Sequence, residues 1–191
     1  LKAVIPLKPD VIMPTKVNGA AMIQEVSAYM AQVEKKAGIE EGTVKILPLI
    51  ETALGVEKSF EIASADKRVI GIFLGGEDFT ADMHCKRTKE GKEIFYARTR
   101  LVCAARACGI EAYDTPFTDV EDMEGLRKDT EFAKSLGFAG KAVISPRHVD
   151  IVNEVFSPTE EEIAYAHDVM DAIEEGKRQG KGVISLRGKM I

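Results

Sequence analysis

The sequence contains no apolar stretch of about 18 residues, so it offers no candidate membrane helix. It contains no block of basic residues: 26 Lys and Arg stand against 31 Asp and Glu, a formal net charge of −5. A chain of that balance is a poor nucleic-acid binder by electrostatics alone, though a local patch for a small anion remains open. Cysteine is scarce and unpaired. Cys85, Cys103 and Cys108 are odd in number and form no Cys-x-x-Cys pair. That usage fits a reduced, cytoplasmic setting, with the thiols expected to act as small core filler. Neither a Gly-x-Gly-x-x-Gly nor a Gly-x-x-x-x-Gly-Lys-Ser/Thr motif follows an apolar run, which lowers nucleotide-binding folds. No Gly-x-Ser-x-Gly elbow is present, and His84, His148 and His167 lack zinc-ligand spacing. They read as structural or exposed. The opening Leu1-Lys-Ala-Val-Ile-Pro6 is too short an apolar core for a signal peptide and has no initiator Met. The expectation is processing, a missing segment or a fragment. No internal repeat or low-complexity tract appears.

What is present is ordinary globular material: 191 residues, 45% apolar and 30% charged, enough for one domain with a real core. Short apolar runs alternate with helical periodicity. Strands are predicted at Val11–Met13, Val44–Ile50, Val69–Leu74, Ile110–Tyr113 and Lys141–Ile144. The helix from about Val17 to Ala37 shows apolar steps of three and four at Ile23, Val26, Met30, Val33 and Ala37, with Gly38 as its stop. A short helix follows through Leu54, Phe60 and Ala63. The next carries Ile94, Ala97, Leu101, Ala104 and Cys108 on one face and ends at Gly109. Another runs through Leu126, Ala133 and Leu136 to Gly137, and a short one through Val152 and Val155. Residues 1–156 thus read as βα units of a parallel α/β architecture, doubly wound or barrel on this pattern. Residues 157–191 differ. Ser157-Pro-Thr-Glu160 reads as a capping box with Pro at the first helical position. Its helix carries Ile163, Ala166, Met170 and Ile173. Gly176, Gly180 and Gly182 then uncouple an arm, Val183-Ile-Ser-Leu186, whose apolar side chains are expected to bury against another subunit of a homo-oligomer.

Two carboxylates stand out. Glu51 closes the run Lys45–Ile50, and Asp78 closes the run from Val69 to Glu77. Parallel sheets and barrels place their chemistry at C-terminal strand ends. Two acids at neighbouring strand ends can share a hard cation such as Mg²⁺, which keeps waters and room for a chelating substrate. They can equally be first-turn helix acids, which the pattern leaves open. Gly75 and Gly76 permit close approach of a ligand or simply a tight turn. Glu77 is a third acid or a solvated one. Lys16, after Pro14-Thr15, can meet an anion at the same rim or be a plain surface lysine.

With those residues noted, the chain resembles the citrate lyase β-subunit family, within the wider group of Mg²⁺-dependent aldolases and lyases. The matching segments are Ile46-Leu-Pro-Leu-Ile-Glu-Thr-Ala-Leu-Gly55, Leu74-Gly-Gly-Glu-Asp-Phe79, Ala104-Ala-Arg-Ala-Cys-Gly-Ile110 and Gly137-Phe-Ala-Gly-Lys-Ala-Val-Ile-Ser-Pro146. Val155-Phe-Ser-Pro158 and Gly182-Val-Ile-Ser-Leu-Arg-Gly-Lys-Met190 match too. The resemblance implies a (β/α)₈ TIM barrel, of which about five βα units, the fourth to the eighth, are present with a C-terminal arm. It implies Mg²⁺ on Glu51 and Asp78, and a substrate carboxylate at Gly75, Gly76 and Glu77. The implied reaction cleaves a citryl- or malyl-type thioester, carried on CoA or an acyl-carrier protein, to an acetyl thioester and a 2-oxo acid such as oxaloacetate. A pyruvate-type aldolase without thioester, or a non-catalytic acyl-CoA- or subunit-binding relative, are the competing implications. Relatives carry an arginine on an earlier strand and an Asp after the Gly-Lys-Met-Ile segment; neither has a match here. Where many have Ile-His-Pro, this chain has Ile144-Ser-Pro146.

Overall fold

A computed structural model describes residues 1–191. The chain forms two compact units, Leu1–Phe156 and Ser157–Ile191. In the first, strands β1 (Val11–Ile12), β2 (Lys45–Ile46), β3 (Leu49–Ile50), β4 (Gly71–Leu74), β5 (Glu111–Asp114) and β6 (Gly140–Lys141) all pair in parallel. β2 and β3 belong to one apolar run broken at Leu47-Pro48, because proline has no N–H to give the ladder. Bonding continues across the break: Leu47 N–H donates to Ile12 O, Leu49 N–H to Pro14 O, and Phe73 N–H to Pro48 O, each at 2.9 Å. Ile46 also bridges Val69. Strand order therefore follows chain order, with no reversal of the kind a doubly wound sheet has at its switch point.

Helices fill the connections: α1 (Ala20–Ala37), α2 (Ala53–Glu57), α3 (Ser59–Ala63), α4 (Gly76–Asp82), α5 (Phe95–Cys108), α6 (Met123–Leu136) and α7 (Val149–Phe156). α1 buries Ile23, Met30 and Val33 as its periodicity requires. It starts at Ala20, later than expected, because the Val17 N–H is drawn to Leu49 O at 3.3 Å. Gly38 (φ 69°) and Gly109 (φ 68°) end α1 and α5 in the left-handed region, where a side chain is strained. One core joins the helix faces to Ile46, Ile50, Ile72, Leu74 and Ala112. Beneath it the Arg68 guanidinium lies on Glu34, at 2.9 and 2.6 Å, both residues buried.

Three expectations change. The last strand stops at Lys141, not Ile144. Ala142 N–H still reaches Asp114 O at 3.0 Å, but Val143 and Ile144 are exposed, with no strand on their far side. Cys85 and Cys103 are exposed and only Cys108 is partly buried, so core filling describes one thiol of the three. Cys103 sits on the solvent face of α5, and Cys85 lies in the polar loop after α4. In the second unit the capping box is Thr159 with Glu162, which exchange bonds of 2.8 and 3.1 Å, so Pro158 precedes the cap.

That box opens α8 (Glu160–Arg178), and the chain then returns as a hairpin of β7 (Ser185–Leu186) and β8 (Lys189–Met190). The hairpin folds onto its own helix. A Cβ at Gly176 would lie 2.4 Å from Ile184, and Arg187 binds Asp168 at 2.6 Å while covering the Tyr165 ring.

Candidate metal centre

β3 and β4 run side by side with Ile50 opposite Leu74, so the residues that follow, Glu51 and Gly75, face each other at the C-terminal edge. Gly75 N–H completes the ladder to Ile50 O at 2.9 Å. A Cβ on Gly75 would fall 2.7 Å from Glu51 Cβ and 2.9 Å from its Oε2. The missing side chain is therefore what lets the Glu51 carboxylate fold over the start of α4. Asp78 stands in the first turn of that helix. Gly76 is tight for a different reason: its N–H donates to Thr115 Oγ1 at 2.9 Å, and a Cβ would meet that hydroxyl at 2.8 Å. Thr115 follows β5, so a third strand end fixes the entry to α4.

Lys16 ties the two acids together. The loop after β1 is clamped to β3 through Pro14 O and the Val17 N–H. This clamp holds Lys16 at φ 52°, a left-handed conformation uncommon outside glycine. In that conformation its backbone N–H donates to Glu51 Oε1 at 2.9 Å and its Nζ to Asp78 Oδ2 at 2.7 Å. Glu51 is buried while Asp78 and Lys16 are half or more exposed. Burial raises the Glu51 pKa, the nearby Asp78 charge adds to that, and the Lys16 N–H acts against it. The Lys16 ammonium lowers Asp78 and is itself raised by the bond. The two acids are linked through one residue, Glu51 by the Lys16 backbone N–H and Asp78 by the Lys16 ammonium. A buried carboxylate that shares its lysine with a second acid is a demand for positive charge.

The donor set suits a hard, partly hydrated cation. Two carboxylates converge, and no group of three or more His, Cys, Asp or Glu side chains is assembled anywhere in the chain. A closed structural zinc site is thereby ruled out, whereas Mg²⁺ is commonly held by one or two carboxylates plus water and substrate.

The remaining expected site residues divide. Glu77 does not join the pair; its Oε1 lies 3.3 Å from Arg87 Nε, and Arg87 is held in turn by Glu93 at 2.7 Å. Gly75 and Gly76 were read as allowing close approach of a ligand or a tight turn, and both N–H groups are committed, to Ile50 O and Thr115 Oγ1. The N–H groups of Glu77 and Asp78 have no acceptor in the chain. His148 is buried with Nε2 at 3.4 Å from Val120 O, and His84 and His167 are exposed. Sequence reasoning missed two things here. Lys16 was expected to be a surface lysine, and its only sequence signal is adjacency to a strand end. Thr115 carried no signal beyond following β5.

The profile of the HpcH/HpaI aldolase/citrate lyase family matches residues 1–146. The chain belongs to that family. The citrate lyase subunit beta of Leuconostoc mesenteroides subsp. cremoris is 46% identical over 191 residues, which is all of this chain and 63% of that protein. The chain thus spans less than two thirds of that relative's length. Among solved structures, the CitE protein of Mycobacterium tuberculosis in complex with magnesium, acetoacetate and coenzyme A is 27% identical, with a TM-score of 0.72. That likeness covers 95% of this chain and 62% of that one. A citrate lyase beta subunit from the same organism, complexed with oxaloacetate and magnesium, is 27% identical with a TM-score of 0.65, covering 78% and 62%.

Proposed function

We propose that this chain is the metal-holding part of a Mg²⁺-dependent carbon–carbon lyase, cleaving a citryl- or malyl-type thioester to an acetyl thioester and a 2-oxo acid. The observation that carries the reading is the placement of Glu51 and Asp78 after adjacent parallel strand ends, both bonded to Lys16, one by its backbone N–H and the other by its ammonium. Magnesium with oxaloacetate or coenzyme A in the related structures supports the same assignment. On this reading Leu1–Phe156 supplies the fourth to eighth βα units of a (β/α)₈ barrel, for which the sequential parallel strand order is the support.

The roles follow from the geometry. Glu51, fixed by the Lys16 N–H, and Asp78, carried on α4, supply the two carboxylate ligands. A bound Mg²⁺ supplies Lewis-acid offset of the negative charge that develops on a carbonyl oxygen during C–C cleavage. Gly75 and Gly76 set the turn, and on this reading the unpaired N–H groups of Glu77 and Asp78 receive a substrate carboxylate. The arginine that the family resemblance calls for has no counterpart among these residues. Exposed Met170, Val183 and Met190 in the second unit support self-association through the arm; light scattering showing a strict monomer at micromolar concentration would remove that part.

The test is turnover. Citryl and malyl thioesters are incubated with the protein, with and without Mg²⁺, and the released 2-oxo acid is measured. Metal-dependent release that disappears in Asp78→Ala is the expected result. Release that persists with chelator, or in Asp78→Ala, contradicts the assignment.

A further inference from the structure

We infer that Lys16 is the internal counter-ion of the two site acids, and that its ammonium competes with the divalent cation for them. The inference rests on the metal reading above and deepens it. One residue grips both acids by different parts: its backbone holds Glu51 at 2.9 Å and its side chain holds Asp78 at 2.7 Å. The backbone contact depends on the left-handed conformation and not on the side-chain charge, so an unbranched replacement that keeps this φ keeps it. The side-chain contact is a flexible, well-solvated ion pair, which can open at small cost.

The chemistry follows from charge. Without Lys16, the metal-free site would hold two neighbouring carboxylates and no cation. With it, Asp78 is neutralised, and Glu51 is oriented by an N–H that cannot leave. A divalent ion arriving at Asp78 must displace the ammonium, because an ammonium has no lone pair to bind a metal and repels it. Binding is then an exchange of one cation for another. Exchange lowers apparent metal affinity and keeps the metal-free site assembled.

The experiment measures Mn²⁺ and Mg²⁺ affinity directly, by electron paramagnetic resonance of free Mn²⁺ and by calorimetry, in the wild type, Lys16→Met, Lys16→Arg and Asp78→Ala. Thermal melting is followed in the metal-free state. Lys16→Met should bind the metal roughly two- to fivefold more tightly, the range that release from an exposed ion pair permits, and should melt lower without metal. Lys16→Arg keeps the charge and should match the wild type. Equal or weaker binding by Lys16→Met, with binding still abolished by Asp78→Ala, overturns the inference and leaves the metal site standing. Binding that ignores Asp78→Ala overturns both.

Discussion

At the ends of β3 and β4 two acids share one base; at the ends of β5 and β6 two acids share two. The second group is Arg98 of α5, Asp114 closing β5, Asp129 of α6 and Lys141 closing β6. Arg98 binds both Asp114 oxygens at 3.0 and 2.9 Å and Asp129 at 2.8 Å. Lys141 Nζ lies 2.6 Å from each acid and donates to Thr115 O at 2.7 Å. All four residues are buried. Burial raises Asp129, and the charges of Lys141 and Arg98 outweigh it, leaving its pKa lowered. The contrast separates two uses of charge at strand ends. A sealed, balanced cluster pairs its charges among themselves and fixes the sheet to its helices. An open cluster short of one positive charge is built to receive one. The two are connected, because Lys141 holds the carbonyl of Thr115 while the hydroxyl of Thr115 holds Gly76.

The largest effect is expected in the sealed cluster. Asp114→Ala strands Arg98 and Lys141 without their shared partner and should cost about 3–5 kcal/mol in denaturant unfolding. A loss below about 1 kcal/mol, the size of a surface pair, would erase the distinction between the two groups. Gly75→Ala attacks the open site through packing. Its methyl must displace Glu51, so a loss of about 1–3 kcal/mol is expected together with weaker divalent binding. Wild-type affinity in that variant would show that Glu51 need not lie over Gly75.

Acid provides a smaller test of sealed charge. Burial raises Glu34, and Arg68 with the N–H groups of Val44 and Gly42 more than reverses this, bringing it to about 2 from an ordinary 4.5. A lowered carboxylate pKa means that the folded state releases this proton more readily than the unfolded one. The contribution is complete above pH 4.5 and disappears as pH falls through about 2. Glu34→Gln should flatten the loss of stability across that window; an unchanged acid profile would place the titration elsewhere.

Most helix faces and strand positions of this chain were legible because they rest on local pattern, while α4, the start of α1 and the early stop of β6 were not. The α1 face and the Gly38 and Gly109 stops were all written in spacing or backbone freedom. So were the two acids, since a carboxylate after an apolar run is a sequence-level object. What escaped was anything made by side chains meeting across elements. Arg98, Asp114, Asp129 and Lys141 come from four elements, and no spacing links them. Lys16 escaped because its role depends on a backbone angle that residue type argues against. Gly75 and Gly76 were seen as a ligand approach or a tight turn, but the room they leave for Glu51 and Thr115 is something only packing reveals.

The central claim is that the open pair of acids holds a divalent cation while the sealed cluster holds the fold. Its most direct measurement is a Mn²⁺ titration of the wild type and Asp78→Ala, with the melting temperature of each recorded without metal. One site is expected in the wild type, lost in Asp78→Ala, at an unchanged melting temperature. Retained binding in Asp78→Ala, or a folding defect as severe as that of Asp114→Ala, would contradict it.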